Sequence, residues 1–212
     1  MIDFEQLGMD NYNKYKELTK LADWDGIFKL NGVSIDKFGT LKELKVLPKY
    51  LDSDEVVFSL CSGLMSQTQT SDDSDWGLNT WLVALTSTRF LFMDHALLTS
   101  SVNTQSVRHE NVQAVSASQG WVFGKITIDL GSRTIVIDNC NKDTVKAMAN
   151  LANKWFSVLK RAEEQTRNTS TVTAVAQSSP LDELKKLGEL KQAGLLTDEE
   201  FNAAKAKILS SL

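Results

Sequence analysis

Between Glu55 and Cys140 apolar residues recur at every second position in short runs, and from Lys142 onward they recur every three to four. That change of period limits the fold more than any other feature, because period two marks half-buried strands and period 3.6 marks an amphipathic helix. The clearest strand is Lys125–Leu130, with Ile126, Ile128 and Leu130 on one face and Lys125, Thr127 and Asp129 on the other. Gly131-Ser132 fits a two-residue turn into Arg133–Asp138. Glu55–Cys61, Thr80–Leu85 and Arg89–Met93 read as strands too, the last two joined by a tight turn at Thr86-Ser87-Thr88. Leu97–Val102 and Val112–Ala117 bring the number to seven, which favours a small barrel or sandwich. Residues 142–165 then form one helix, striped by Val145, Met148, Ala149, Ala152, Trp155, Phe156 and Leu159.

Residues 1–51 read as a helical extension. Tyr12, Tyr15, Leu18 and Leu21 share one face of a first helix. Asn31-Gly32, between the apolar runs of Ile27–Ile35, carries the strongest short signal for a β-hairpin. Thr40 and Glu43 have capping-box spacing for a helix that Pro48 ends or kinks.

Beyond the long helix, residues 166–179 lack charge pattern and apolar stripe and read as a flexible linker. Residues 180–212 are punctuated as two helices. Pro180 suits a first helical position, Gly194 a left-handed stop, and Thr197 with Glu200 a capping box. Leu181, Leu184, Leu187 and Leu190 line the first helix, answered by Phe201, Ala204, Ile208 and Leu212 on the second. Helices this short are marginal alone, so the hairpin needs a partner.

Seven strands followed by one helix is the order of a pleckstrin-homology-like domain. Leu47-Pro-Lys-Tyr-Leu51, Leu85-Thr-Ser-Thr-Arg89-Phe-Leu-Phe and Gly120-Trp-Val-Phe-Gly-Lys-Ile-Thr-Ile128 resemble the YokE-like group of bacterial PH-like domains. Gly194-Leu-Leu-Thr-Asp-Glu-Glu-Phe201 between a Leu-rich and an Ala/Lys-rich helix resembles the short C-terminal domain, SHOCT. The resemblance implies an α+β fold: a PH-like seven-stranded barrel or sandwich capped by a C-terminal helix, over residues 52–165. An N-terminal helical extension (1–51) precedes it, and the linker and helical hairpin follow. It also implies a non-enzymatic protein whose tail drives oligomerisation, or binds another helical-hairpin protein, through Leu184, Leu187, Leu190, Leu195, Leu196, Phe201 and Ile208. The alternative is a binding protein for a small molecule or lipid headgroup, with Trp76, Trp121, Phe123, Arg89, Arg108 and Lys125 at a ligand or protein rim. Trp81 and Trp155 are expected in the core.

The charges narrow the partners. The chain's formal net charge is −4, against a general nucleic-acid binder. From Val56 to Cys140 four cations (Arg89, Arg108, Lys125, Arg133) face seven anions. The loop from Gln67 to Asp75 carries Asp72, Asp73 and Asp75 where a phosphoinositide site needs Arg and Lys, so that ligand is disfavoured. Peripheral membrane association would come only through a partner. The same loop breaks the EF-hand pattern, and His95 and His109 lie outside metal-ligand spacing of any Cys or of each other. No nucleophile elbow or phosphate-cradling glycine loop occurs. Catalytic, metal and cofactor residues are therefore not assigned. The start, Met-Ile-Asp-Phe-Glu-Gln, has neither the basic nor the apolar region of a signal peptide. The expectation is a cytoplasmic protein with Cys61 and Cys140 as reduced, buried thiols.

Overall fold

The computed structural model describes residues 2–68, 80–95, 101–175, 180–192 and 196–209. The chain divides into two compact units, Met1–Arg161 and Ala162–Leu212.

Seven antiparallel strands organise the first unit: β1 Val57–Thr68, β2 Thr80–Thr86, β3 Arg89–His95, β4 Val102–Arg108, β5 Ala114–Gln119, β6 Gly124–Asp129 and β7 Thr134–Cys140. They form one sheet in the order β4-β3-β2-β1-β7-β6-β5. The long β1 joins two wings. It lies between β2, paired from Val57 to Leu64, and β7, paired from Leu64 to Thr68. Alternation places Ile126, Ile128, Ile135 and Ile137 in the core. Gly131, at φ +77°, opens the β6–β7 turn, which Leu130 N–H closes on the Arg133 carbonyl. Fold class and strand number are as the sequence indicates. The fourth strand runs Val102–Arg108, and its polar run Asn103–Ser106 hides the alternation that marks the others; residues 97–100 of the expected strand lie outside the described residues.

Helix α4, Lys142–Val175, follows the sheet and buries Val145, Met148, Ala152, Trp155 and Val158. Trp155 donates from Nε1 to the Ser87 carbonyl at 3.0 Å. The sequence expectation ends this helix at residue 165, with a linker from Thr166. The helix instead continues for ten residues, with no Gly or Pro there to stop it, and the Thr166 hydroxyl bonds back within it to the Ala162 carbonyl at 2.9 Å. Residues 176–179 of the expected linker lie outside the described residues.

The N-terminal extension holds α1 Tyr12–Lys20, α2 Trp24–Leu30 and α3 Leu41–Val46, then a 3-10 turn at Leu47–Tyr50 containing Pro48. It belongs to the core. Met9, Ile27 and Phe28 are fully buried, and Phe4 and Tyr12 pack on Trp155 with centroids 5.1 and 5.9 Å away. Thr19 Oγ1 accepts from Val57 N–H at the start of β1.

Two local expectations are corrected here. Asn31-Gly32 turns no hairpin. It ends α2 as a Schellman motif: Gly32, at φ +67°, donates to the Lys29 carbonyl and Val33 to the Phe28 carbonyl. Hairpin and helix stop both need a residue at positive φ, so the dipeptide signals either. Thr40 and Glu43 make no capping box. The Thr40 hydroxyl bonds Ser62 Oγ at 2.7 Å, and Glu43 Oε1 accepts from His95 N–H at 2.7 Å, because both side chains are buried against the sheet.

Candidate functional site

A cavity of about 770 Å³ opens beside Gly63 in the middle of β1. Its floor is Ser62–Leu64. Asp36 and Phe38 form one wall, Asn139 and Asn141–Asp143 the other, and Val122 and Phe123 overhang it. Each wall has a local cause. At Gly63 a Cβ would sit 2.6 Å from the Asp138 carbonyl oxygen and closer still to Cys140 Sγ, so only glycine lets β1 and β7 approach here.

Asn139 is set by a bulge. Gly124 pairs with Cys140 and Ile126 with Ile137, which leaves Lys125 of β6 opposite both Asp138 and Asn139. Asn139 takes φ +56°, a left-handed conformation that Asn tolerates better than most residues. Lys125 bridges to Asp138 at 3.1 Å across the bulge. Asn141 then caps α4, its Oδ1 accepting from Asp143 N–H at 3.0 Å and Thr144 N–H at 3.4 Å.

The overhang is the tight turn between β5 and β6, closed by Gly120 N–H on the Phe123 carbonyl at 2.8 Å. Lys142 Nζ donates to the Trp121 carbonyl and so ties the turn to the start of α4. Three consecutive apolar residues stand in solvent there: Trp121 is 96%, Val122 61% and Phe123 53% exposed. Phe38, which also lines the cavity, is 84% exposed.

The charge of the cavity is acidic. Burial pushes the Asp36 carboxyl above the usual carboxylate range, opposed by backbone N–H groups of Ser62, Phe38 and Asn141. The Ser62 and Phe38 contacts are long, 3.4 Å each. Asp143 adds a second carboxylate, and the one cation among the described lining residues, Lys142, is engaged by Trp121.

Of the residues the sequence singles out, Phe123 lines this cavity and Trp121 stands in the same turn. Lys125 lies one bulge away in its ion pair with Asp138. Arg89 is elsewhere, paired with Glu55, and Arg108 is exposed with Glu110 at 4.0 Å. Trp76 and residues 69–75 of the acidic loop lie outside the described residues, and the loop's first two residues, Gln67 and Thr68, belong to β1. Asp36, Phe38, Asn139 and Asp143 carry no contiguous signal, since separate segments of the chain bring them together. The cysteines are both free and buried. The hydrogen bond with Cys140 and burial push the Cys61 thiol well up, the reverse of an activated nucleophile. Among the described residues no His, Cys, Asp and Glu cluster fits a metal ion. No helix among them is long and apolar enough to cross a membrane.

The second unit holds α5, Pro180–Gln192, and α6, Asp198–Leu209. Thr197 and Glu200 make the capping box, Thr197 N–H to Glu200 Oε2 at 3.0 Å and Glu200 N–H to Thr197 Oγ1 at 3.3 Å. Lys191 joins the helices, bridging to Asp198 at 2.7 Å with its Nζ 4.5 Å above the Phe201 ring. Leu184, Leu187, Leu196, Phe201, Ala204 and Ile208 are half-buried and Leu190 is exposed; Leu195 lies outside the described residues.

Residues 51–154 match the bacterial PH domain family, and residues 182–209 match the Short C-terminal domain family, SHOCT. Among solved structures, the chain is similar to the pleckstrin homology domain of USP37, at 10% identity and a TM-score of 0.35, covering 45% of this chain and 94% of that one. It is also similar to the C-terminal domain of an unknown protein from Leishmania infantum, at 14% identity and a TM-score of 0.32, covering 53% and 93%. No curated protein matches the chain in sequence.

Proposed function

We propose that this chain, which carries a bacterial PH domain followed by a SHOCT domain, is a non-enzymatic assembly protein whose copies join through the α5–α6 hairpin. One observation carries the reading: no described residue of α5 or α6 is buried, although the two helices carry seven apolar side chains at helical spacing. Fully covering a Leu or Phe contributes about 1.5–3 kcal/mol. The part still exposed on several of them is comparable with the roughly 4–15 kcal/mol that association costs. A second copy fits the charges. Each helix starts acidic (Asp182 and Glu183; Asp198, Glu199 and Glu200) and carries more base than acid after that (Lys185, Lys186 and Lys191 with Glu189; Lys205 and Lys207). Two antiparallel hairpins therefore set unlike charges against each other. Clustering would present several PH domains and raise avidity without new contacts.

Light scattering after gel filtration tests this on the full chain, on Leu187→Asp/Phe201→Asp, and on a chain ending at Val175. The expected result is an oligomer for the first and monomers for the others, with unchanged melting of the PH domain. A monomeric full chain, or an oligomer that survives both changes, overturns the reading.

A second reading, a binding protein for a small molecule, is favoured by the cavity beside Gly63. Its volume is in the range of small-molecule sites. Arg89 and Lys125 are committed to Glu55 and Asp138, so the reading does not extend to a phosphorylated headgroup.

A further inference from the structure

We propose that the cavity beside Gly63 binds a small organic ammonium ion with a compact apolar body, its charge toward Asp36 and its body between Phe38 and Phe123. The inference rests on the small-molecule reading and is independent of assembly through the hairpin. Shape comes first: the cavity is bounded by Asp36 and Phe38 from the chain between α2 and α3, by the Val122-Phe123 overhang, and by the bulge at Asn139.

Charge selects the ligand's sign. Asp36 takes backbone contacts from Ser62, Phe38 and Asn141 N–H, and the first two are 3.4 Å, long for a carboxylate, which ordinarily forms bonds of about 2.7–2.9 Å with charged donors. Its neighbour Lys37 is turned to Asp25. Lys142 is turned to Trp121, and Asp143 adds to the negative field. A half-buried carboxylate with no ion pair among the described residues favours a cationic ligand, and burial has raised its proton affinity in the same sense.

The aromatics select the ligand's kind. A ring face attracts a cation through its quadrupole, and rings around a carboxylate make a site for ammonium groups. Phe38 and Phe123 line the opening while largely in solvent, where an exposed apolar run normally marks a binding surface. A choline headgroup would bring its phosphate against Asp36 and Asp143, so a free amine is the better occupant.

Calorimetry on the full chain tests the inference with four probes: benzyltrimethylammonium, benzyl alcohol, benzoate and phosphocholine. Benzyltrimethylammonium should bind saturably at one site per chain, with benzyl alcohol weaker by about tenfold. Benzoate and phosphocholine should give no measurable heat. Asp36→Asn should weaken the ammonium probe by about tenfold. Phe38→Ala, a change in an exposed ring that leaves the core intact, should weaken it by about fivefold; far-UV circular dichroism checks both folds. Equal binding of benzyl alcohol shows an apolar pocket without charge selection, and tighter binding of benzoate shows an anion site at Lys142. Either overturns the ammonium assignment and leaves the small-molecule reading standing. Phosphocholine binding as tightly as the ammonium probe replaces the free amine with a headgroup. Ammonium binding untouched by both substitutions places the ligand elsewhere. No heat from any probe removes the small-molecule reading as well.

Discussion

The guanidinium of Arg89 meets the carboxylate of Glu55 through two hydrogen bonds, Nε to Oε1 at 3.0 Å and Nη2 to Oε2 at 2.8 Å. The Glu55 side chain is fully buried, and its other partners are the Thr86 and Thr88 hydroxyls and Asp52 N–H. Arg89 also donates to the Tyr50 carbonyl. The pair therefore fastens the segment before β1 to the β2–β3 turn. Burial pushes the Glu55 carboxyl up, and the bonds from Arg89, Thr86, Asp52 and Thr88 together hold it below the usual range. Arg89→Ala leaves that carboxylate buried without a counter-charge and should cost about 3–5 kcal/mol in urea unfolding at pH 7. For a depressed acid the stabilisation is present above the unfolded pKa and is lost as pH falls through the folded one. The native chain should thus lose stability below about pH 4.3, and Arg89→Ala should flatten that acid limb.

His109 titrates in a different window. Its Nε2–H donates to the Thr86 carbonyl at 2.8 Å, and its ring lies against Phe90 and Phe156. Burial pushes its pKa down, opposed by the Thr86 bond and the charge of Glu55. The folded ring is neutral while the unfolded one protonates near pH ~6.5. Stability should therefore decline as pH falls from about 6.5 toward the lowered folded value. His109→Gln, which keeps a donor for Thr86, should remove the slope in that window and leave the Glu55 limb at lower pH. A slope that persists unchanged in melting curves of the variant assigns it to another group.

The strands that the sequence reveals most clearly, β6 and β7, are those whose alternate residues are Ile on the core side. β4 carries Asn, Thr, Gln and Ser at successive positions, so its period does not show. Thr40 and Glu43 have capping-box spacing in one dimension, but burial against Ser62 and His95 gives both side chains tertiary partners. Thr197 and Glu200, both solvent-exposed, use the same spacing for a real box. The cavity was legible only at Trp121 and Phe123, where apolar residues interrupt a polar turn. Asp36 and Asn139 come to it through a loop and a bulge, and neither leaves a periodic trace.

Gly32 separates the helix stop from the hairpin in a measurable way. Nothing lies within 4 Å of where its Cβ would be, so a side chain there meets only the penalty of φ +67°. Gly32→Ala should destabilise by about 1–2 kcal/mol, and Gly32→Asn by less, because Asn visits the left-handed region more readily. Equal stability of all three by chemical unfolding would show that α2 does not depend on this cap.

Gly63 presents the opposite case, in which space and not conformation excludes a side chain. Its φ lies outside the positive region, so alanine strains nothing locally. The added methyl would instead press on Cys140 Sγ, the Asp138 carbonyl and Ile137 Cγ2. All three belong to β7, beside the bulge that aims Asn139, so relief requires β1 and β7 to part. Gly63→Ala should cost about 1–3 kcal/mol as an overpacked site. Cys140→Ala alone removes the sulfur and leaves a small void. In the double variant the new methyl fills part of that void, so the combined loss should be smaller than the sum of the single losses by at least about 0.5 kcal/mol, the lower range for residues in contact. The Asp138 carbonyl remains in the way, so the rescue should be partial. Additive losses in a double-mutant cycle of urea unfolding would mean that the sulfur does not set the approach of the two strands, and that the backbone contact alone holds the floor of the cavity in place.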